Sequence, residues 1–141
     1  MAHSPVPTPV APAFPTPDVN ELTRPYWDGL KENRLMFQKC RCGNAWLPAR
    51  RECPNCLGTE WQWTQASGKG CLISWVVYHT SYHDAFKSRL PYNVAIVELD
   101  EGPRLITNMV DANETLRGDA QVTLQVGWEG ETALARFRMT D

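Results

Sequence analysis

The chain has 141 residues, enough for one ordinary domain or two very small ones. Its 14 Lys and Arg against 16 Asp and Glu leave a formal charge of −2, without the basic excess of a protein that lives on nucleic acid. The longest apolar run, around Leu72–Tyr78, is far too short to span a bilayer, and no nucleic acid or membrane is expected as a partner.

Residues 1–17 are rich in Pro and Ala and have no hydrophobic period, so an extended or disordered tail is expected there. The stretch has neither a basic start nor a continuous apolar core, so it does not read as a secretory signal, and a reducing cytoplasm is the expected home. Residues 18–36 read as one or two short helices. Thr23 is placed to cap, Pro25 falls in the first turn, and Tyr26 and Trp27 each reach Leu30 along one side. Gly29 weakens this helix in isolation, so it needs something to pack on, either this chain's own sheet or another subunit. Leu35–Gln38 then looks like a strand leading into Cys40.

Residues 37–66 hold the most specific pattern in the chain. Cys40 and Cys42 form one pair, Cys53 and Cys56 another, separated by a hairpin-sized spacer. Two such pairs present four sulfurs to one tetrahedral ion, as in a rubredoxin-like zinc ribbon. Gly43, Pro54 and Gly58 supply the turns that let backbone N–H groups curl toward sulfur. Cys-x-Cys is one residue shorter than the usual knuckle. A structural Zn2+ is the expected ion, although spacing does not separate zinc from iron. Paired disulfides are disfavoured, because nothing in the chain points to secretion.

Trp61 and Trp63 alternate as on a strand, and Ser67–Gly70 is a turn at which the ribbon ends. Residues 67–141 are all β in pattern. Strands are expected at 70–80, 91–100, 103–110, 119–128 and 132–139, with a tight turn at Glu101-Gly102. Val122, Leu124, Val126 and Trp128 fall on one face at period two. Five short strands suit a small closed barrel, of which the OB-fold is the commonest. The fold class is therefore mainly β, with short N-terminal helices, a zinc ribbon and a C-terminal five-stranded OB barrel. Cys71, away from the cluster, reads as a small buried hydrophobe.

Pro25-Tyr26-Trp27 with Gly29-Leu30, the four-cysteine ribbon, Pro48-Ala49-Arg50 and Ser67–Gly70 together set the pattern. The run Val97-Glu98-Leu99-Asp100-Glu101-Gly102-Pro103-Arg104 completes it. The chain resembles the bacterial and archaeal family of zinc-ribbon plus OB-fold proteins, long catalogued as a domain of unknown function and associated with acyl-CoA. The resemblance covers about residues 23–138. It implies a small subunit of a thiolase or of an acyl-CoA aldolase of a degradation pathway, in a hetero-oligomer with a thiolase-like large subunit that carries the catalytic residues. It also implies that the small subunit orders or covers the acyl-CoA site, so acyl-CoA is a candidate ligand of the complex.

Outside the ribbon, residues 78–86 are chemically the most loaded. His79 and His83 are four apart, but they follow a strand into a loop, where that spacing does not build a metal site. No nucleophile with an orienting partner accompanies them, so no catalytic residue is assigned and recognition is the better reading. Tyr82, His83, Phe86 and Arg89 offer aromatic faces and a cation to a partner or to CoA phosphates, and an ordinary solvated loop explains them as well. Arg50 on the ribbon and Trp27 on the helix are further candidate contacts; six Trp are many for this length, and aromatic side chains are enriched at interfaces. Glu98, Asp100 and Glu101 sit at a strand end, where charge display and turn geometry suffice. Two other functions stay open: an OB-fold nucleic-acid binder and an iron-loaded, rubredoxin-like electron carrier.

Overall fold

The computed structural model describes residues 15–81 and 83–140. Of the expected tail only Pro15–Pro17 fall in that range, outside any helix or strand; residues 1–14 lie outside the described residues.

The first element is one helix, α1 (Arg24–Lys31). Thr23 is its N-cap residue, but the Thr23 hydroxyl does not cap the helix. It turns back to accept from the Asn20 N–H at 3.0 Å, while Thr23 N–H donates to Asn20 Oδ1 at 3.0 Å. The helix stops where the Arg34 N–H closes on Gly29 O at 2.8 Å and Asn33 takes a left-handed conformation, φ 61°. Gly29 is needed there, since a Cβ would lie 2.8 Å from Met36 Cγ and 2.9 Å from Arg34 O. The surface that α1 needs is this chain's own: it packs on β1 (Met36–Cys40) and on β9 (Thr132–Leu134).

β1 is the centre of a three-stranded antiparallel sheet, with β2 (Ala45–Trp46) on one side and β3 (Trp61–Gln65) on the other. The β1–β3 ladder runs from Cys40 opposite Trp61 to Met36 opposite Gln65, and Ala66 N–H extends it to Leu35 O at 2.8 Å.

A closed five-stranded barrel follows. Its strands are β4 (Lys69–Tyr78), β5 (Tyr92–Leu99), β6 (Arg104–Met109), β7 (Gln121–Leu124) and β10 (Arg136–Met139), in the order β10-β6-β5-β4-β7. All neighbours are antiparallel except β10 and β6, which is the connectivity of an OB barrel. Strict alternation places Asn93, Ala95, Val97 and Leu99 of β5 inside, against Leu72, Leu105, Met109, Val122 and Phe137. Leu30, Leu35 and Phe37 from α1 and β1 belong to the same buried cluster, so ribbon and barrel share one core.

The last two expected strands form one long hairpin with a break. β7 pairs with β10, and β8 (Gly127–Glu129) pairs with β9 in the same register, turning through Gly130 and Glu131. Only the base of this hairpin is in the barrel wall. Trp128 therefore does not share the buried side of Val122: it lies past the wall and is 51% exposed.

Candidate functional site

The four cysteine sulfurs lie within 4.8 Å of one another, at the end of β1 and in two turns. Cys40 and Cys56 are 3.6 Å apart, Cys42 and Cys53 3.7 Å. Four sulfurs at about 2.3 Å around a tetrahedral ion would be separated by about 3.8 Å, so the cluster is arranged to bind a metal. The short Cys-x-Cys loop is closed by Gly43, φ 97°, whose N–H donates to Cys40 O at 2.9 Å. In the second knuckle the left-handed position falls on Leu57, φ 62°, and not on Gly58, whose N–H donates to Cys56 Sγ at 3.4 Å.

Further donors aim at sulfur. Asn55 N–H and the Asn44 amide point at Cys53 Sγ, at 3.4 and 3.6 Å. Burial pushes the Cys53 thiol up, but the backbone N–H groups of Cys56 and Asn55 and the Asn44 amide outweigh it and bring it down to about 6. At Cys42 the Asn44 backbone N–H outweighs burial, the Asn55 amide assists, and the thiol lies below its ordinary value. These donors favour thiolate at Cys42 and Cys53, the form that a metal ligand takes; at Cys40 the Cys42 N–H also pulls down, but burial and the neighbouring sulfurs outweigh it and push the thiol up to about 12. Cys71 stands apart and is half-buried, not fully buried, with Asp119 Oδ1 4.0 Å from its sulfur.

The spacer between the cysteine pairs is fixed from below. Gln38, fully buried on β1, donates to Arg50 O and accepts from Arg50 N–H, both at 2.8 Å. Arg50 thus has a pinned backbone and an exposed side chain. Next to it, Leu47, Pro48 and Ala49 face Tyr26 and Trp27 of α1 and Ile96, Leu105 and Ile106 of the barrel across an apolar cavity of about 560 Å3. Trp27 packs edge-on to Tyr26, with ring centres 4.9 Å apart.

The cavity opens onto the outer face of β5 and β6, where Ile96 pairs directly across from Ile106 and Ile106 is 77% exposed. In OB barrels the second and third strands and the loops after strands one and four carry the ligand. Here the sheet part of that surface presents Ile96 and Ile106, and its cation, Arg104, is held by Glu98 at 3.1 Å, while the charged side chains Asp84, Lys87, Arg89 and Glu129 lie on the loops.

The first of those loops, residues 79–91, contains a 3-10 turn over Asp84–Arg89. His83 caps it, its Nδ1 accepting from Ala85 N–H at 3.0 Å. Phe86 leans on Tyr92, and Tyr92 stacks on Tyr78, both at 5.4 Å. Arg89 reaches Glu129 on the second loop, the β8–β9 hairpin, and Arg136 holds the same carboxylate at 2.7 Å. The Arg89 hydrogen bond outweighs burial at Glu129, Arg136 assists, and the carboxyl falls to about 2. The Arg89 cation is thus engaged within the chain. Tyr82 lies outside the described residues. The structure places Trp27 and Arg50 at one end of the β5–β6 face, and His83, Phe86 and Arg89 in the loop that leads into β5.

Sequence reading passed over Gln38, Glu129 and Arg136. Gln38 sat in an expected strand, and only an uncharged polar residue between Phe37 and Lys39 marked it. Nothing local marked Glu129, one of whose two partners, Arg89, is forty residues away. Among the carboxylates, Glu98 pairs with Arg104, and Glu101 accepts from Ser67 N–H at 2.7 Å, bracing the junction of ribbon and barrel. Among the described residues the four cysteines are the one group of potential metal ligands, and no helix is long and apolar enough to cross a membrane.

Two family models match. The ChsH2 rubredoxin-like zinc ribbon domain covers residues 27–62, and the ChsH2 C-terminal OB-fold domain covers residues 63–127. A probable enoyl-CoA hydratase alpha subunit of Thermomonospora curvata is 38% identical over 97 residues, 68% of this chain but 30% of that protein. A DUF35 domain-containing scaffold protein of Methanocaldococcus jannaschii is 35% identical over 103 residues, 71% of this chain and 70% of the relative. A solved chain of an Ltp2-ChsH2(DUF35) aldolase superposes with a TM-score of 0.77 at 34% identity, over 88% of this chain and 98% of that one.

Proposed function

The chain belongs to the ChsH2 family, DUF35-type proteins in which a rubredoxin-like zinc ribbon precedes an OB-fold domain, and on that premise we propose that it is the accessory subunit of an acyl-CoA enzyme. Its partner in this reading is a thiolase-fold large subunit that carries the catalytic residues of a thiolase or retro-aldolase. The small subunit is needed for assembly and shapes access to the acyl-CoA. Zinc, held by Cys40, Cys42, Cys53 and Cys56, keeps the ribbon folded; it supplies structure and no chemistry. Trp27 and Arg50, with His83 and Phe86 of the 79–91 loop, are the contacts offered to partner or acyl-CoA. The complex works in the cytoplasm, where thiols stay reduced.

The observation that carries this reading is the outer face of β5 and β6. Binding a nucleic acid there calls for free cations and open aromatic faces. Instead the face presents Ile96 and Ile106, and its arginine is already paired with Glu98. An apolar face of this kind suits a protein partner. In the 79–91 loop the hydroxyl and the imidazole that lie close together are not arranged as nucleophile and base. Ser81 Oγ donates to His83 O, and His83 Nδ1 is occupied by Ala85 N–H. The relatives named as a probable enoyl-CoA hydratase alpha subunit and as an Ltp2-ChsH2(DUF35) aldolase agree with a subunit role.

Co-production with a thiolase-fold protein from the same cell tests the reading. A stable complex with one zinc per small subunit is expected, active only when both chains are present. Elution of this chain alone at physiological salt refutes it. Visible absorption from bound iron would favour an electron carrier instead.

A further inference from the structure

The cavity beside α1 and the isoleucine ridge next to it form one continuous apolar feature built from three elements. α1 gives Tyr26 and Trp27, the spacer between the cysteine pairs gives Leu47 and Pro48, and the barrel gives Ile96 and Ile106. Ile106 at 77% exposure and Val76 at 54% carry the apolar surface outward over β6 and β4. A cavity alone would suit a small apolar ligand; a cavity that runs out onto an open sheet face suits a polypeptide.

The rim decides what kind. Arg104 in the cavity wall is taken by Glu98, but Arg50 and Arg51, which follow Ala49 directly, are both exposed and without an acidic partner among the described residues, so the spacer side of the rim is basic. Resting on the accessory-subunit reading above, we propose that this cavity and the Ile96–Ile106 ridge seat an apolar segment of the large subunit that carries carboxylates at its edge. Apolar side chains of the segment fill the cavity, and the carboxylates meet Arg50 and Arg51. A second copy meeting this face with its own would bring Arg50 and Arg51 of both chains to one interface, like charge against like, which disfavours it.

The test uses the full chain and the identified large subunit, with the dissociation constant as readout. Ile106→Asp should weaken the complex by about 30-fold or more, as loss of a central interface residue does. Arg50→Glu should weaken it by roughly 5-fold at low salt and less at high salt. Trp128→Ser should bind as the parent does. Should Ile106→Asp melt early or lose its metal, benzoylphenylalanine at position 106 replaces it, and light should then crosslink the large subunit. An Ile106→Asp chain that is folded and binds within about 3-fold of the parent overturns this docking face, and leaves the accessory reading standing. So does a position-106 probe that crosslinks only a second copy. A parent chain that never joins the large subunit removes the accessory reading, and this inference with it.

Discussion

Stripping the metal should open the tip of the ribbon and leave the barrel closed. The tip has a small buried cluster of its own, Cys40, Trp46 and Cys53, with Trp61 against it. The lower half of the same sheet is held differently, because Leu35 and Phe37 are buried in the core that also contains Leu72, Val97 and Phe137. A structural metal site contributes about 10 kcal/mol or more at neutral pH, comparable with the whole stability of a domain, about 5–15 kcal/mol. Three buried residues cannot replace that, whereas the barrel does not depend on it. Under a chelator with reductant, hydrogen exchange should therefore accelerate over residues 41–60, including both knuckles and the spacer. Protection should persist in β5 and β10 and at the Leu35–Ala66 end of the β1–β3 ladder, where Ala66 N–H reaches Leu35 O. The ring contact of Trp46 with Trp61, 6.3 Å between centres, should be lost with it and change the tryptophan emission. Cys53→Ser should reproduce the pattern. Barrel amides that lose protection together with the knuckles, or knuckles that keep theirs, would refute the reasoning.

Phe137→Ala empties the centre of the barrel, where Phe137 is 0% exposed, and should cost about 3–5 kcal/mol in urea unfolding. Gln38→Leu keeps the volume but leaves both backbone groups of Arg50 without their partners, so about 1–3 kcal/mol should be lost, with faster exchange at Arg50. Glu129→Gln tests the tie between the two barrel loops. The Glu129 carboxyl is lowered to about 2 from an ordinary 4.5, so its stabilisation is present above 4.5 and fades as pH falls through 2. Because Arg89 is 40% exposed, the difference at pH 7 should be only about 1 kcal/mol, and it should vanish by about pH 2.

Most of the fold was legible because it rests on short-range pattern. The expected strand at 91–100 is found as β5 (Tyr92–Leu99), but its run does not state which side is buried, since polar Asn93 faces in while Val94 and Ile96 face out. Four cysteines in two pairs state a cluster without any knowledge of the fold. Pattern fails where the neighbour is distant. Trp128 continues the period of Val122, yet the hairpin has left the wall by then, and period alone does not reveal where a wall ends. Gln38 reads only as part of an expected strand until the spacer folds back over it, twelve residues later. Arg89 reads as a free cation until Glu129 arrives from the far hairpin. Thr23 could cap its helix, but Asn20 competes for the hydroxyl and wins.

The shared architecture has one more consequence, which links the metal to the partner. The apolar cavity has walls of two kinds: Leu47, Pro48 and Ala49 belong to the spacer between the cysteine pairs, whereas Ile96 and Ile106 belong to the barrel. The spacer is held at its ends by the cluster, at Ala45 and Trp46 by pairing with β1, and at Arg50 by Gln38. When the knuckles open, one wall and the Arg50 rim lose their position while the isoleucine ridge keeps its own. Binding that needs both walls should then fall by about 10-fold or more on chelation, the loss that follows when half of an interface must be reordered at each encounter. Returning zinc should restore it, and Ile106→Asp should not be rescued. If the metal-free chain bound the large subunit as tightly as the loaded one, the spacer would have no part in docking, and the ribbon would serve the fold alone.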